Sequence, residues 1–125
     1  MTHSNPSLEL RSYSKETQTH HHDYHQLVLP AEGELVMNIS GQEGTVCAQQ
    51  AAVIAAGRDH GFNAFGHNCF VVVDTPEFLA PELNHLPAFI PVDSALNQYL
   101  CFLQQQLQQN TSASCLQQML SLIHI

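Results

Sequence analysis

The spacing of the apolar runs between residues 8 and 75 constrains the fold of this chain more than any other feature. Short runs follow one another at intervals, and all six glycines lie between Gly33 and Gly66, at the breaks where turns need positive φ. Short runs with this spacing are typical of an antiparallel β-sandwich or barrel. The predicted strands are Leu8–Tyr13, His25–Leu29, Glu34–Ile39, Gly44–Ala48, Ala51–Ala55, Gly61–Phe65 and Cys69–Asp74.

The composition changes on both sides of this segment. Residues 1–7 are polar and predict a flexible N-terminal tail. Residues 76–93 contain four of the six prolines, which predicts a connector, because proline interrupts long helices and central strands. Residues 94–125 contain leucines at helical spacing, which predicts an α-helical hairpin whose first helix begins at Asp93 or Ser94 and ends near Asn110.

The predicted hairpin contains no Asp, Glu, Lys or Arg. It could serve only as a lid that covers one open end of a barrel. It could instead form a homodimer interface, because a surface helix normally carries charge and an uncharged apolar face is commonly covered by a partner. The residues predicted for that interface are Tyr99, Leu103, Leu107 and Leu116.

The charge excludes several classes of partner. The chain has 11 acidic residues, only 3 basic ones and a formal net charge of −8 at pH 7. A chain with so few cations is not expected to contact nucleic acid or to bind a membrane surface through a basic face. No apolar run approaches the length of a membrane span, and the first eleven residues lack the apolar core of a signal peptide. We therefore expect a cytoplasmic protein.

The densest candidate site is the run His20-His21-His22-Asp23-Tyr24-His25-Gln26. On a strand, His20 and His22 would point to the same side, and Gln26 would return to that side if the alternation continued. Two imidazoles at i and i+2, joined by His60 from a distant strand, would form a facial site for a divalent first-row metal ion such as Zn, Ni, Fe or Mn. Two other interpretations stay open, namely satisfied polar residues in a barrel mouth and an exposed histidine run.

These spacings resemble the two cupin motifs. His20-x-His22-x3-Gln26-x6-Gly33 is similar to HxH-x3-E-x6-G, with glutamine in place of the glutamate, and Gly57-x2-His60 is similar to the core of PxG-x2-H. The chain departs from the second motif because Ala55 stands where the proline would be, and the expected asparagine is one position early. The resemblance implies a cupin-like antiparallel β-barrel, that is, a double-stranded β-helix or jelly roll.

A more specific resemblance is to the N-terminal sensor domains of AraC-type transcription regulators. It covers roughly residues 18–109 and rests on the order of His22-Asp23-Tyr24-His25-Gln26-Leu27, Glu32-Gly33-Glu34-Leu35, Ala52-Val53-Ile54-Ala55-Ala56-Gly57 and His60-Gly61-Phe62. The resemblance implies a barrel that binds a small effector in its mouth, where Tyr24 and Phe62 would line the pocket, and helices that dimerise. The family reads DNA through a separate domain, which a chain of this length has no room for. The apolar, uncapped C-terminus suggests that something normally follows.

Three functions remain open at this point. The first is a regulatory sensor that binds a small molecule or a metal ion without turnover. The second is a stand-alone metal-dependent cupin enzyme, of the dioxygenase or isomerase type, for which the neutral Gln26 is a weaker ligand than glutamate. The third is a structural dimerisation module. We expect the sensor rather than an enzyme, and we assign no catalytic residue.

Overall fold

The computed structural model describes residues 5–15 and 18–109. That part of the chain is mainly β, with one α-helix after the strands. In chain order the elements are β1 (Ser7–Arg11), β2 (Tyr24–Glu32), β3 (Leu35–Ile39), β4 (Gln42–Val46), β5 (Gln50–Ile54), β6 (His60–Ala64), β7 (Cys69–Pro76), β8 (Phe89–Pro91) and α1 (Ser94–Gln109). Two 3-10 helices, Glu77–Leu79 and Pro81–His85, lie between β7 and β8.

The strands form two antiparallel sheets. One has the order β1-β7-β2-β5-β8 and the other has the order β4-β3-β6. Among the described residues the strand pairing does not continue from one sheet into the other, so the predicted barrel is an open pair of sheets that is not closed by hydrogen bonds. Non-consecutive strands pair within each sheet, as expected for a jelly roll rather than a meander.

Each predicted strand overlaps one of the strands β1 to β7, with ends that differ by up to three residues. The structure adds β8, which lies inside the proline-rich segment and pairs with β5, with Pro91 opposite Gln50. Proline is tolerated here because β8 is the edge of its sheet, where a missing N–H breaks no ladder. The connector therefore contributes a strand as well as the two short helical turns.

The main core lies between the two sheets. It is formed by the inward-facing residues of both: Val28, Leu35, Met37, Ile39, Val46, Ala52, Ile54, Phe70 and Val72. A second cluster lies on the outer face of the five-stranded sheet and includes Leu8, Ala51, Val71, Val73, Val92, Leu100 and Leu103. The strand β7 has apolar residues on both sides, because one face meets the core and the other meets α1.

The helix α1 begins where the sequence predicts. Asp93 acts as the N-cap, since its Oδ1 accepts a hydrogen bond from the backbone N–H of Leu96 at 2.7 Å. Farther along, the buried Gln104 donates a hydrogen bond to Glu32, which also contacts His67 Nε2 at 2.7 Å. These contacts fix α1 against the five-stranded sheet.

The residues predicted for the dimer interface differ in how deeply the structure buries them. Leu103 is only 2% exposed and fills the cluster beneath α1, so the prediction that it faces a partner needs revision. Leu107 is partly buried against the same cluster, whereas Tyr99 is exposed. Leu116 and the second helix of the predicted hairpin lie outside the described residues. No helix in the described ranges is both long and apolar enough to cross a membrane.

Candidate metal centre

Three histidines converge at one end of the fold. His22 lies just before β2, and His60 is the first residue of β6. The sequence predicts that His20 lies on a continuous strand. In the structure it instead makes an isolated β-bridge to His60 through two backbone hydrogen bonds of 2.9 and 2.8 Å. One potential ligand atom from each of the three side chains lies within 4.8 Å of the other two.

Backbone carbonyls orient two of the rings. The Nδ1 atom of His60 lies 3.2 Å from the carbonyl oxygen of Arg58, and Nδ1 of His20 lies 3.1 Å from that of Gln18. A carbonyl can only accept, so these contacts favour the tautomer with the proton on Nδ1 and the lone pair on Nε2. The Nε2 atom of His60 is buried and has no hydrogen-bond partner within the described residues 5–15 and 18–109. An unpartnered ring nitrogen beside two other imidazoles is well suited to a metal ion.

Burial keeps two of the rings neutral. Burial is the main cause that lowers the pKa of His60 to about 4; repulsion from His20 and His22 contributes, and the hydrogen bond to the Arg58 carbonyl opposes the shift. Burial also lowers the pKa of His22, with repulsion from His20 as the second cause. Neutral imidazole is the form that binds metal, so at pH 7 no proton has to be displaced from either ring.

The three rings line a small cavity of about 130 Å³. Its other lining residues are Arg11, Tyr13, Tyr24, Gln26, Met37 and Phe62. The ring of Tyr24 stacks on that of His22, with centroids 4.7 Å apart and planes 4° from parallel. Phe62 packs edge-on against Tyr13 at 4.5 Å. Tyr24 and Phe62 therefore lie where the sequence predicts a ligand pocket.

Gln26 lies beside the histidines, as predicted, but its amide is already engaged. The side chain is 3% exposed, and Nε2 donates a hydrogen bond of 2.9 Å to Oδ1 of Asp74. This leaves the neutral Oε1 as the only atom of Gln26 that could reach a metal ion. A fourth ligand would therefore add no charge to the three imidazoles.

Sequence reasoning missed three residues of the cavity wall. Arg11 and Met37 come from strands β1 and β3, and Tyr13 follows β1. Their positions follow from strand order rather than from any local motif. The Arg11 guanidinium lies over the Tyr13 ring, 6.0 Å from its centroid, and pairs with Glu9. The wall thus contains one cation whose charge is partly balanced by a neighbouring carboxylate.

The arrangement can hold a divalent ion through three nitrogens and leave the remaining coordination positions open. Three imidazoles suit Zn, Ni or Fe, and ions that prefer oxygen, such as Mn, would depend more on water or an oxygen ligand. The cavity beside the rings is about as large as one that accepts a benzene molecule. It could therefore contain a small molecule or several waters next to the ion.

Comparisons with known proteins agree with the fold described above. No protein-family model matches the chain. The probable transcriptional regulator LumQ of Photobacterium leiognathi is 23% identical over 118 residues, which cover 93% of this chain. The chain spans about half of that relative's length, 48%.

Solved structures of low sequence identity have the same architecture. A cupin-2 domain protein from Shewanella frigidimarina matches with a TM-score of 0.52 and 21% identity, and the match covers 60% of this chain and 74% of that one. Apo ToxT from Vibrio cholerae, in a variant form, matches with a TM-score of 0.60 and 9% identity over 97% of this chain and 53% of that one. A structure of oxalate decarboxylase from Bacillus subtilis, with Mn(II) centres, matches at 0.50 and 15% over 66% of this chain and 26% of that one. Together these matches show that the chain has a cupin fold.

Proposed function

We propose that this chain is the ligand-sensing and dimerisation domain of an AraC-type transcription regulator. It binds a small effector, a divalent metal ion, or both in the cavity that contains the three histidines, and it makes no contact with DNA itself. The observation that carries the proposal is the convergence of His20, His22 and His60 around a buried, unpartnered ring nitrogen. Three imidazoles that meet around such an atom form a suitable set of nitrogen ligands for a divalent ion.

One comparison favours a regulator over an unrelated cupin. LumQ is described as a probable transcriptional regulator, and its similarity extends over 93% of this chain. The ToxT match also extends past the strands, to 97% of the chain, whereas the Shewanella cupin covers 60%. The order of motifs that resembles AraC-type sensor domains lies in the same region.

A stand-alone metal-dependent enzyme is the alternative, and the environment of Gln26 argues against it. The cupin motif has a glutamate at this position, which supplies a negative ligand. Gln26 is neutral, and its amide is held by Asp74. Three neutral nitrogens bind an ion but neutralise none of its charge, so this site lacks the negative ligand that the cupin motif supplies.

The test of the proposal is the metal content of protein purified without an affinity tag. We expect about one ion per chain, and replacing both His22 and His60 with alanine should abolish this binding while the fold is retained. His85→Ala is the matched control, because His85 is an exposed histidine outside the cavity. If metal content survives the double substitution, the three histidines are not the metal site. If the wild type binds neither a metal ion nor a small effector, the sensor proposal fails.

A further inference from the structure

A fourth histidine lies directly behind the metal centre and does not face its cavity. His25 is fully buried in β2, between the cavity residues Tyr24 and Gln26. Successive side chains of a strand point to opposite faces, so the His25 ring lies on the outer side of the sheet. Its Nδ1 accepts a hydrogen bond of 3.0 Å from the backbone N–H of Ala56. The ring must therefore carry its proton on Nε2 when it is neutral.

The hydrogen bond from Ala56 joins β2 to the turn that leads to His60. In this turn Gly57 has φ of +82°, and its N–H donates to the carbonyl of His22 at 2.7 Å. The next residue, Arg58, donates its N–H to the Ala55 carbonyl at 3.1 Å and offers its own carbonyl to Nδ1 of His60. Consecutive residues of one turn are thus tied to His25, to His22 and to His60.

We infer that His25 is a positioning residue for the metal centre: its buried imidazole holds the turn at Ala56, which sets His22 and His60 at the separation that a metal ion requires. This inference rests on the proposed function for its ligand, but the arrangement it describes exists without the ion. Replacing residues that orient metal ligands through hydrogen bonds typically lowers metal affinity by about 10- to 100-fold.

The state of the second ring nitrogen supports a positioning role over a purely stabilising one. Nε2 of His25 is buried, and no residue in the described part of the chain forms a hydrogen bond with it. A buried donor without a partner destabilises a fold by about 1–3 kcal/mol, and an apolar residue in the same space would avoid this penalty at Nε2. What the imidazole supplies, and an aliphatic side chain cannot, is an acceptor for Ala56 N–H.

The test compares His25→Asn with His25→Leu. The asparagine Oδ1 can take the place of Nδ1 as acceptor, whereas leucine has similar bulk and no acceptor. In a Co²⁺ titration followed by visible absorption, we expect His25→Leu to weaken binding by about tenfold or more and to change the ligand-field spectrum. His25→Asn should remain within about threefold of the wild type. Equal Co²⁺ binding and spectra in the wild type and His25→Leu would overturn the inference.

A second measurement on metal-free protein separates this inference from the proposed function. Nitrogen-15 NMR of the imidazoles reports the tautomer of His60, and amide hydrogen exchange reports the bond from Gly57 to His22. We expect His25→Leu, but not His25→Asn, to mix the His60 tautomers and to speed exchange at Gly57. If the wild type binds no Co²⁺, the metal proposal fails, and this experiment still decides the role of His25. Unchanged tautomers and exchange in a folded His25→Leu variant would show that His25 does not position the turn.

Discussion

His60 combines burial with a free ring nitrogen, and this combination has a consequence for stability. Its pKa in the folded protein, about 4, is below the value of 6.5 for a free histidine. A depressed pKa stabilises the fold above the unfolded value, and that stabilisation is lost as the pH falls from 6.5 towards 4. For metal-free protein we expect the free energy of unfolding to fall by about 1 kcal/mol between about pH 7 and 5, after allowance for solvent screening. Denaturant titrations at several pH values should show that the free energy of unfolding of His60→Asn varies less with pH than that of the wild type. An equal variation with pH would refute the assignment of this effect to His60.

Gly33 is a second residue whose environment permits a sharp prediction. It has φ of +76°, and an added Cβ would lie 2.2 Å from the backbone carbonyl oxygen of His67. Gly41 has a similar φ of +86°, but no atom of the described residues lies within 4 Å of an added Cβ. Both alanine substitutions incur backbone strain of about 1 kcal/mol, and only Gly33→Ala adds a clash with main chain. We expect thermal denaturation to show a loss for Gly33→Ala that exceeds the Gly41→Ala loss by at least about 1 kcal/mol. Equal losses would mean that the backbone around Gly33 shifts enough to avoid the clash with the His67 carbonyl.

The candidate site was predictable where its residues carry a motif. His20, His22 and Gln26 are spaced by even numbers of residues, as expected for side chains on one side of an extended segment. The glycine turn before His60 identifies the remaining histidine of the site. Arg11 could not be found this way, because it reaches the cavity through the pairing of β1 with β7, a contact distant in sequence. The engagement of Gln26 by Asp74 has the same origin, since these residues pair across β2 and β7.

At the scale of single elements, the N-terminus of α1 offers a test between two candidate caps. The sequence allows Asp93 or Ser94, and the structure assigns the capping hydrogen bond to Asp93. Removing such a cap exposes an unsatisfied backbone N–H. We expect Asp93→Ala to lower the free energy of unfolding by about 1 kcal/mol, and Ser94→Ala to change it by less than about 0.5 kcal/mol. Guanidinium unfolding curves of the two variants measure both, and a larger loss for Ser94→Ala would reverse the assignment.

The elements also show why some structure was predictable and some was not. Most of the strands from β1 to β7 have apolar residues between turn residues, because their own side chains are buried in the core; β4, with Val46 as its one apolar residue, is the exception. In contrast, β8 is three residues long and contains Pro91, so its pairing with β5 is set by the sheet edge it meets. In α1 the leucines indicate a helix, but Tyr99 and Leu103 belong to apolar stripes that the sequence alone cannot assign to the sheet or to solvent.

At the scale of the whole molecule, one side of α1 packs on the sheet and contributes to folding, whereas the other side is exposed and is available for assembly. Leu103 lies in the cluster against the sheet, whereas Phe102 is 51% exposed and Tyr99 is 37% exposed. Truncation of Leu103 leaves a cavity, so Leu103→Ala should destabilise the fold by about 2–5 kcal/mol in a denaturant titration. If the variant is as stable as the wild type, α1 does not depend on this contact.

The exposed side of α1 is the surface through which we expect a homodimer to form. Tyr99 and Phe102 are three residues apart and share a face of a helix that carries no formal charge. A two-fold contact would remove both side chains from water, and a charge introduced at Phe102 would then be buried without a partner. We therefore expect Phe102→Glu to convert a dimer into a folded monomer in sedimentation at micromolar concentration. Gln42→Glu, which adds the same charge on the other sheet, should leave the dimer intact. A wild-type chain that sediments as a well-folded monomer of 13.9 kDa would show that α1 only covers the sheet, and the dimerisation half of the proposed function would be wrong.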